Sequence, residues 1–223
     1  MVDFAERGSQ KWLQIAVNDK PELLSAALRR SGALSDREDV AWKSPLRSAR
    51  PPFAEVCDSR ALAAAQIVGL RTPLKKFWPS RGPVWDAIGV TANGDPLFIE
   101  AKAHISEAAS PATQAVAPAS KELIQKSLIA ARCHFARRSK CDWSRNFYQY
   151  SNRLAYQYFL RELNNVTSRL VFLYFLNDES LNQPATEEEW RGAIRLIHSV
   201  LGIPPDLKSH YIFETFVDVR SLV

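Results

Sequence analysis

Asp86, Glu100 and Lys102 are the residues with the greatest chemical reach in this 223-residue chain. The first stands in Pro83-Val84-Trp85-Asp86-Ala87-Ile88-Gly89, the other two in Leu97-Phe98-Ile99-Glu100-Ala101-Lys102-Ala103-His104. Between them lies Asn93-Gly94-Asp95-Pro96, a hairpin signal, because Asn-Gly readily supplies positive φ. A hairpin sets Asp86 and Glu100 side by side near one of its ends. Glu100 and Lys102 are two apart, so they share one face of their strand. Two acids and a lysine buried on an otherwise apolar strand would each cost several kcal/mol without partners. A compensating ion is the economical answer. Hard carboxylate oxygens suit Mg²⁺ or Mn²⁺, which accept a few protein ligands and retain water. A bound metal acidifies water, and a nearby lysine can orient or deprotonate it. That is the inventory for hydrolysing a phosphodiester.

The pattern Asp86, thirteen intervening residues, then Glu100-Ala101-Lys102 resembles the PD-(D/E)XK nuclease superfamily, of restriction-endonuclease-like fold. By order of elements the resemblance covers roughly Phe53 to Leu176; by motif, about a dozen residues. It implies that Asp86 and Glu100 ligate metal, that the Ala101 carbonyl adds a ligand, and that Lys102 positions the nucleophilic water. It also implies an acid on the first core helix, for which Glu55 is the candidate, with Asp58 behind it. Trp85, not proline, precedes Asp86, and Pro83 stands three positions upstream, a departure in the variable half of the motif.

Other reactive residues carry less. Gln149 and Tyr156 sit two turns apart on a predicted helix and read as ordinary packed positions. His104 extends the Glu100/Lys102 face, either towards substrate or as a satisfied structural histidine. Cys133-His134 and Cys141 lack a CxxC zinc spacing. No GxSxG, GxxxxGK[ST] or GxGxxG occurs, which leaves serine-hydrolase, P-loop and Rossmann chemistry without support. Trp42, Trp78, Trp85 and Trp143 are read as core residues before base-stacking ones.

The elements that must position the site follow from periodicity. Gln10–Ser31 reads as two helices, the second opened by Pro21. Residues 44–52 read as loop, and 53–70 as a helix stopped by Gly69. Lys76–Pro79, Val84–Thr91 and Leu97–His104 read as strands, and 107–119 as a loop. A helix capped by Ser120 runs through Arg138 with Ile124, Leu128, Ala131 and Phe135 as its core stripe. A second, largely buried helix covers Asn146–Leu163. The apolar run Leu170–Leu176 reads as an interior strand, followed by a helix over Glu187–Leu201 and a strand over Ile212–Val219. The expectation is an α/β protein with a mixed central sheet flanked by helices: a helical extension over 1–50, then a nuclease-like domain over 51–223.

With 46% hydrophobic and 24% charged residues, 13 Pro and 8 Gly, the chain is neither disordered, coiled-coil nor collagen-like. No apolar run is long enough to span a membrane and no apolar leader opens the chain, so a cytoplasmic, membrane-free protein is expected. Three cysteines do not make a disulfide framework. The net charge of +5 is uneven. Residues 120–170 hold ten Lys/Arg against three acids, whereas 171–223 hold four against eight. A concentrated basic segment fits a polyanion, although a solvated helix face would look the same. The expected function is a metal-dependent nuclease acting on DNA. The alternatives are an inactive module of the same fold that binds nucleic acid or a protein partner, and a structural protein whose acids and lysine form an internal ion-pair network. A homo-oligomer is compatible with each.

Overall fold

The structure, a computed structural model, describes residues 3–181 and 183–223. In chain order it comprises α1 (Gly8–Asn18), α2 (Pro21–Ser31), β1 (Val40–Ser44), α3 (Asp58–Ala64), β2 (Ala87–Thr91), β3 (Pro96–Lys102), α4 (Ile105–Ala108), α5 (Pro118–Phe135), α6 (Tyr148–Tyr158), β4 (Arg169–Leu176), α7 (Glu187–Leu201) and β5 (Ile212–Asp218). The five strands form one open sheet in the order β1-β2-β3-β4-β5. The β1/β2 and β2/β3 pairs are antiparallel, and β3/β4 and β4/β5 are parallel. Each parallel pair needs a crossover: α5 and α6 bridge β3 to β4, and α7 bridges β4 to β5.

Strand alternation divides the core into two layers. Leu97, Ile99, Val171 and Leu173 pack with Trp12, Leu13, Leu24 and Leu28 of α1 and α2. Phe98, Leu170, Phe172 and Tyr174 pack with α5, α6 and α7 on the opposite face. Glu100 and Lys102 have the parity of Phe98, so the period of two sends them to the α6 side. Residues 8–44 thus supply two helices that cover one sheet face and the edge strand β1 of that same sheet.

Several expected elements are where periodicity put them. Pro21 occupies the first turn of α2, where no amide hydrogen is required, and Gly32 closes the helix at φ +86°. Gly94 takes φ +84° in the β2–β3 turn. The α5 stripe of Ile124, Leu128, Ala131 and Phe135 is buried, as is most of β4. A Thr186/Glu189 capping box opens α7.

Others differ. The Lys76–Pro79 segment is no strand: Leu74–Lys76 forms a 3₁₀ turn, and the Trp78 amide bonds back to the Leu74 carbonyl. The third strand of the meander is β1, a short, half-exposed edge strand with an irregularity at Trp42/Ser44. The helix expected over 53–70 shrinks to α3, because Phe53 and Gln66 take left-handed φ and Val56 bridges to Trp85 instead. Ser120 does not cap α5; Ala117 is its N-cap residue and Pro118 its first turn. The end of α6 loosens into a π-helical turn over Phe159–Leu163. Among the described residues no helix is long and apolar enough to cross a membrane.

Candidate active site

The β3 strand carries Glu100 and Lys102 to the bottom of a cleft of about 750 Å³. The 78–84 loop and the 111–117 segment line it, together with Gln149, Asn152 and Arg153 of α6. Asp86, just ahead of β2, and Glu55, ahead of α3, line the same cleft. One wall is built tightly. Asp58 accepts hydrogen bonds from the amides of Arg81 (2.9 Å) and Gly82 (2.8 Å), anchoring the 78–84 loop. A Cβ on Gly82 would stand only 3.0 Å from Asp58 Oδ1 and 3.1 Å from the Trp78 ring, so any side chain here would press on the wall by a few tenths of an ångström. Asp58 therefore acts on the wall, not as a reserve ligand.

Glu100 is 3% exposed, and both its oxygens are engaged. Lys102 Nζ donates to Oε1 at 2.5 Å, and Arg153 Nε donates to Oε2 at 2.6 Å. Arg153 is itself fixed: Nη2 donates to the Val84 carbonyl at 2.6 Å and Nη1 to Asn152 Oδ1 at 2.8 Å, while the guanidinium lies 4.7 Å over the Trp85 ring. Burial pushes the Glu100 carboxyl up, but Arg153 and Lys102 outweigh it and hold it below the usual range. Asp86 is treated differently. Its hydrogen bond is from the Ala101 amide to Oδ2 at 2.7 Å. Burial, then repulsion from Glu100, raise its carboxyl well above the ordinary range, and Lys102 and Arg153 offset this only in part. Glu55 is likewise raised by desolvation and by Glu100, although Gln10 of α1 donates to it at 3.3 Å. Burial alone would discharge Lys102; Glu100 and Asp86 reverse that and hold its ammonium above the lysine range. In the metal-free site Lys102 is therefore held as an ammonium by the two acids it faces.

Asp86, Glu100, Lys102 and Glu55 thus meet at one cleft, and Ala101 joins through its amide. Among the described residues no group of three or more His, Cys, Asp or Glu side chains is arranged to hold a metal. The donor chemistry nevertheless fits a hard divalent cation. Asp86 and Glu55 are under-neutralised carboxylates, and Glu100 is available to the extent that Lys102 and Arg153 share it.

The remaining candidates separate cleanly. Gln149 faces the cleft, whereas Tyr156 is 1% exposed and packs against Trp85 and Phe98. His104, 1% exposed, does not line the cleft: its Nδ1 lies 3.2 Å from the Gln183 carbonyl, and its Nε2 lies 3.0 Å from Asp178 Oδ2 without hydrogen-bond geometry. Trp85 and Trp143 are core residues, and Trp78, though only 3% exposed, forms part of the cleft wall. Cys57, Cys133 and Cys141 are free thiols. Arg153 is the site residue that spacing did not reveal. Its only sequence signal was a charge on a helix otherwise aromatic on most sides. No protein-family model matches the chain, and neither curated proteins nor solved structures yield a match.

Proposed function

We propose that this chain is a divalent-metal-dependent nuclease of restriction-endonuclease-like fold, with DNA as its substrate. The observation that carries this reading is the meeting of Asp86, Glu100 and Lys102 at the bottom of an open cleft rather than beneath the core. The sheet supports it too: an antiparallel β2–β3 hairpin continued by parallel β4 behind two crossover helices.

Asp86, Glu55 and Glu100 are the carboxylates that would hold Mg²⁺ or Mn²⁺. They would have to draw together around the ion to do so, since the three are not arranged to hold a metal as they stand. When bound, the metal supplies an acidified water and neutralises charge developing on a phosphate. Lys102 offers an ammonium beside these acids, suited to orienting a water or a phosphate oxygen. Arg153 keeps the Glu100 carboxylate ionised and fixes its rotamer, and Gln149 and Asn152 present neutral hydrogen-bonding groups to the same space.

The test is incubation with supercoiled plasmid, linear duplex and single-stranded DNA, with and without Mn²⁺. Cleavage is expected only with metal, and Lys102→Ala should lower it by about 10²-fold or more without altering the fold. A second reading rests on one observation, the engagement of both Glu100 oxygens by Lys102 and Arg153. A catalytically inactive module binding nucleic acid or a protein partner needs no more than that. Binding without cleavage under every metal condition would favour it.

A further inference from the structure

The cleft does not end at its catalytic floor. It shares Ala112, Thr113 and Ile124 with a second groove of about 500 Å³, which Lys121 and Arg145 line. That groove in turn shares Gln125 and Asp142 with a third of about 210 Å³, lined by Arg132 and Lys140. The three therefore adjoin one another through shared wall residues, a trough of three basins lying along α5 away from Glu100 and Lys102. Lys121, Lys140 and Arg145 are exposed in it. In the two outer basins the acids, Glu122 and Asp142, are fewer than the cations Lys121, Arg132, Lys140 and Arg145, and Asp142 is already occupied by Ser144 and by Arg145 at 3.5 Å; Glu55, Asp86 and Glu100 belong to the cleft itself. Arg137 and Arg138 are equally exposed but line none of the three grooves.

We propose that this trough is the path of a single nucleic-acid strand, which leaves the cleft and lies along α5 with its phosphates on Lys121, Arg145 and Lys140. The proposal rests on the nuclease reading of the cleft and adds to it the strandedness and direction of the bound chain. Size favours one strand over two. A space of about 750 Å³ is that of a small-molecule site, which takes in unpaired nucleotides more readily than a duplex. A basic groove that tracks the backbone is the usual means of holding such a strand.

The experiment is fluorescence anisotropy with labelled oligothymidylates of about 4 to about 16 nucleotides, in EDTA to prevent cleavage, over a range of salt. Three proteins are compared: wild type, Lys121→Gln/Lys140→Gln/Arg145→Gln, and Arg137→Gln/Arg138→Gln. The substituted side chains are exposed, and circular dichroism confirms that each variant is folded. For wild type, affinity should climb with length until the strand fills the trough. The triple variant should lose that gain, and its slope of log K against log salt should be shallower by about 2. The Arg137/Arg138 variant should match wild type in both. If the triple variant behaves as wild type, or the Arg137/Arg138 variant shows the larger loss, the path is wrong. Tighter binding of a duplex of equal length, insensitive to the triple variant, would also overturn it. Where wild type still cleaves DNA with Mn²⁺, such a result removes the path alone; a wild type that neither binds nor cleaves removes the nuclease reading with it.

Discussion

Asp86 and Glu100 look interchangeable on paper, as two carboxylates facing each other across a hairpin. Their surroundings make them opposites. Glu100 is the counter-ion of two cations, so its neutralisation strands the 4%-exposed Arg153 and leaves Lys102 with Asp86 alone. Glu100→Gln should destabilise the metal-free protein by about 3–5 kcal/mol, the usual consequence of breaking a buried pair from one side. Asp86 is strained when ionised. Its folded carboxyl titrates above its unfolded one, so its stabilising effect belongs to low pH and is lost as pH rises through the folded value. Asp86→Asn should therefore melt no lower than wild type in EDTA at pH 8, while gaining less from Mn²⁺, because a ligand that binds only the folded site raises its stability by mass action. Thermal unfolding of the three proteins with EDTA and with Mn²⁺ decides both statements. If Glu100→Gln melts with wild type, the Arg153 pair has no structural weight. The Asp…Glu-x-Lys spacing was legible because a hairpin turns sequence distance into proximity by rule. Arg153 was not, since its contact with Glu100 spans 53 positions and depends on where a crossover helix lands.

At the scale of elements, legibility followed the strength of the local signal. Helix α7, with its capping box, and the apolar β4 were readable to within a residue or two. β1 was not, for it has five residues, is half exposed, and owes its pairing to β2 rather than to its own composition. Where α7 meets β5, His198 Nε2 lies 3.5 Å from Glu214 Oε1, and neither group is comfortable charged. Burial drives the His198 imidazole down to about 4 and the Glu214 carboxyl up to about 7. The signs differ. His198 contributes stability above its unfolded value of 6.5, and loses it as pH falls through about 4. Glu214 contributes below its unfolded value of 4.5, and loses it as pH rises through about 7. Glu214→Gln should therefore match wild type near pH 4.5 and exceed it at pH 8 by about 1–2 kcal/mol, discounting for partial exposure. Denaturant melts of both proteins between pH 4.5 and 8 measure the gap. A gap that narrows as pH rises would show that Arg191 and Lys208 hold Glu214 ionised.

For the molecule as a whole, the basic excess of residues 120–170 has to be divided between architecture and surface. Arg169 is architectural. From the first position of β4 it donates to Glu38 Oε2 at 2.7 Å, to Asp95 Oδ2 at 2.6 Å and to the Ala33 carbonyl at 2.8 Å. One guanidinium thus ties the β2–β3 turn and the α2–β1 connection to the centre of the sheet. Arg161 is likewise turned inward, bonding the Ser168 carbonyl at 2.9 Å and stacking 3.6 Å from the Tyr211 ring. With Arg153 these account for three of the ten basic residues, and each already has partners within the protein. A charge count made along the sequence cannot separate the two groups, because burial and ion pairing are tertiary facts. Arg169→Gln should consequently behave as a stability variant. Glu38 is 3% exposed and would lose its cation, so unfolding free energy should fall by about 3 kcal/mol. Its salt slope for oligonucleotide binding should equal that of wild type, since no released counter-ion was assigned to it. Both quantities come from one preparation, a urea melt and an anisotropy titration at several salt concentrations. A shallower salt slope with an unchanged melt would reverse the assignment and place Arg169 on the nucleic-acid surface.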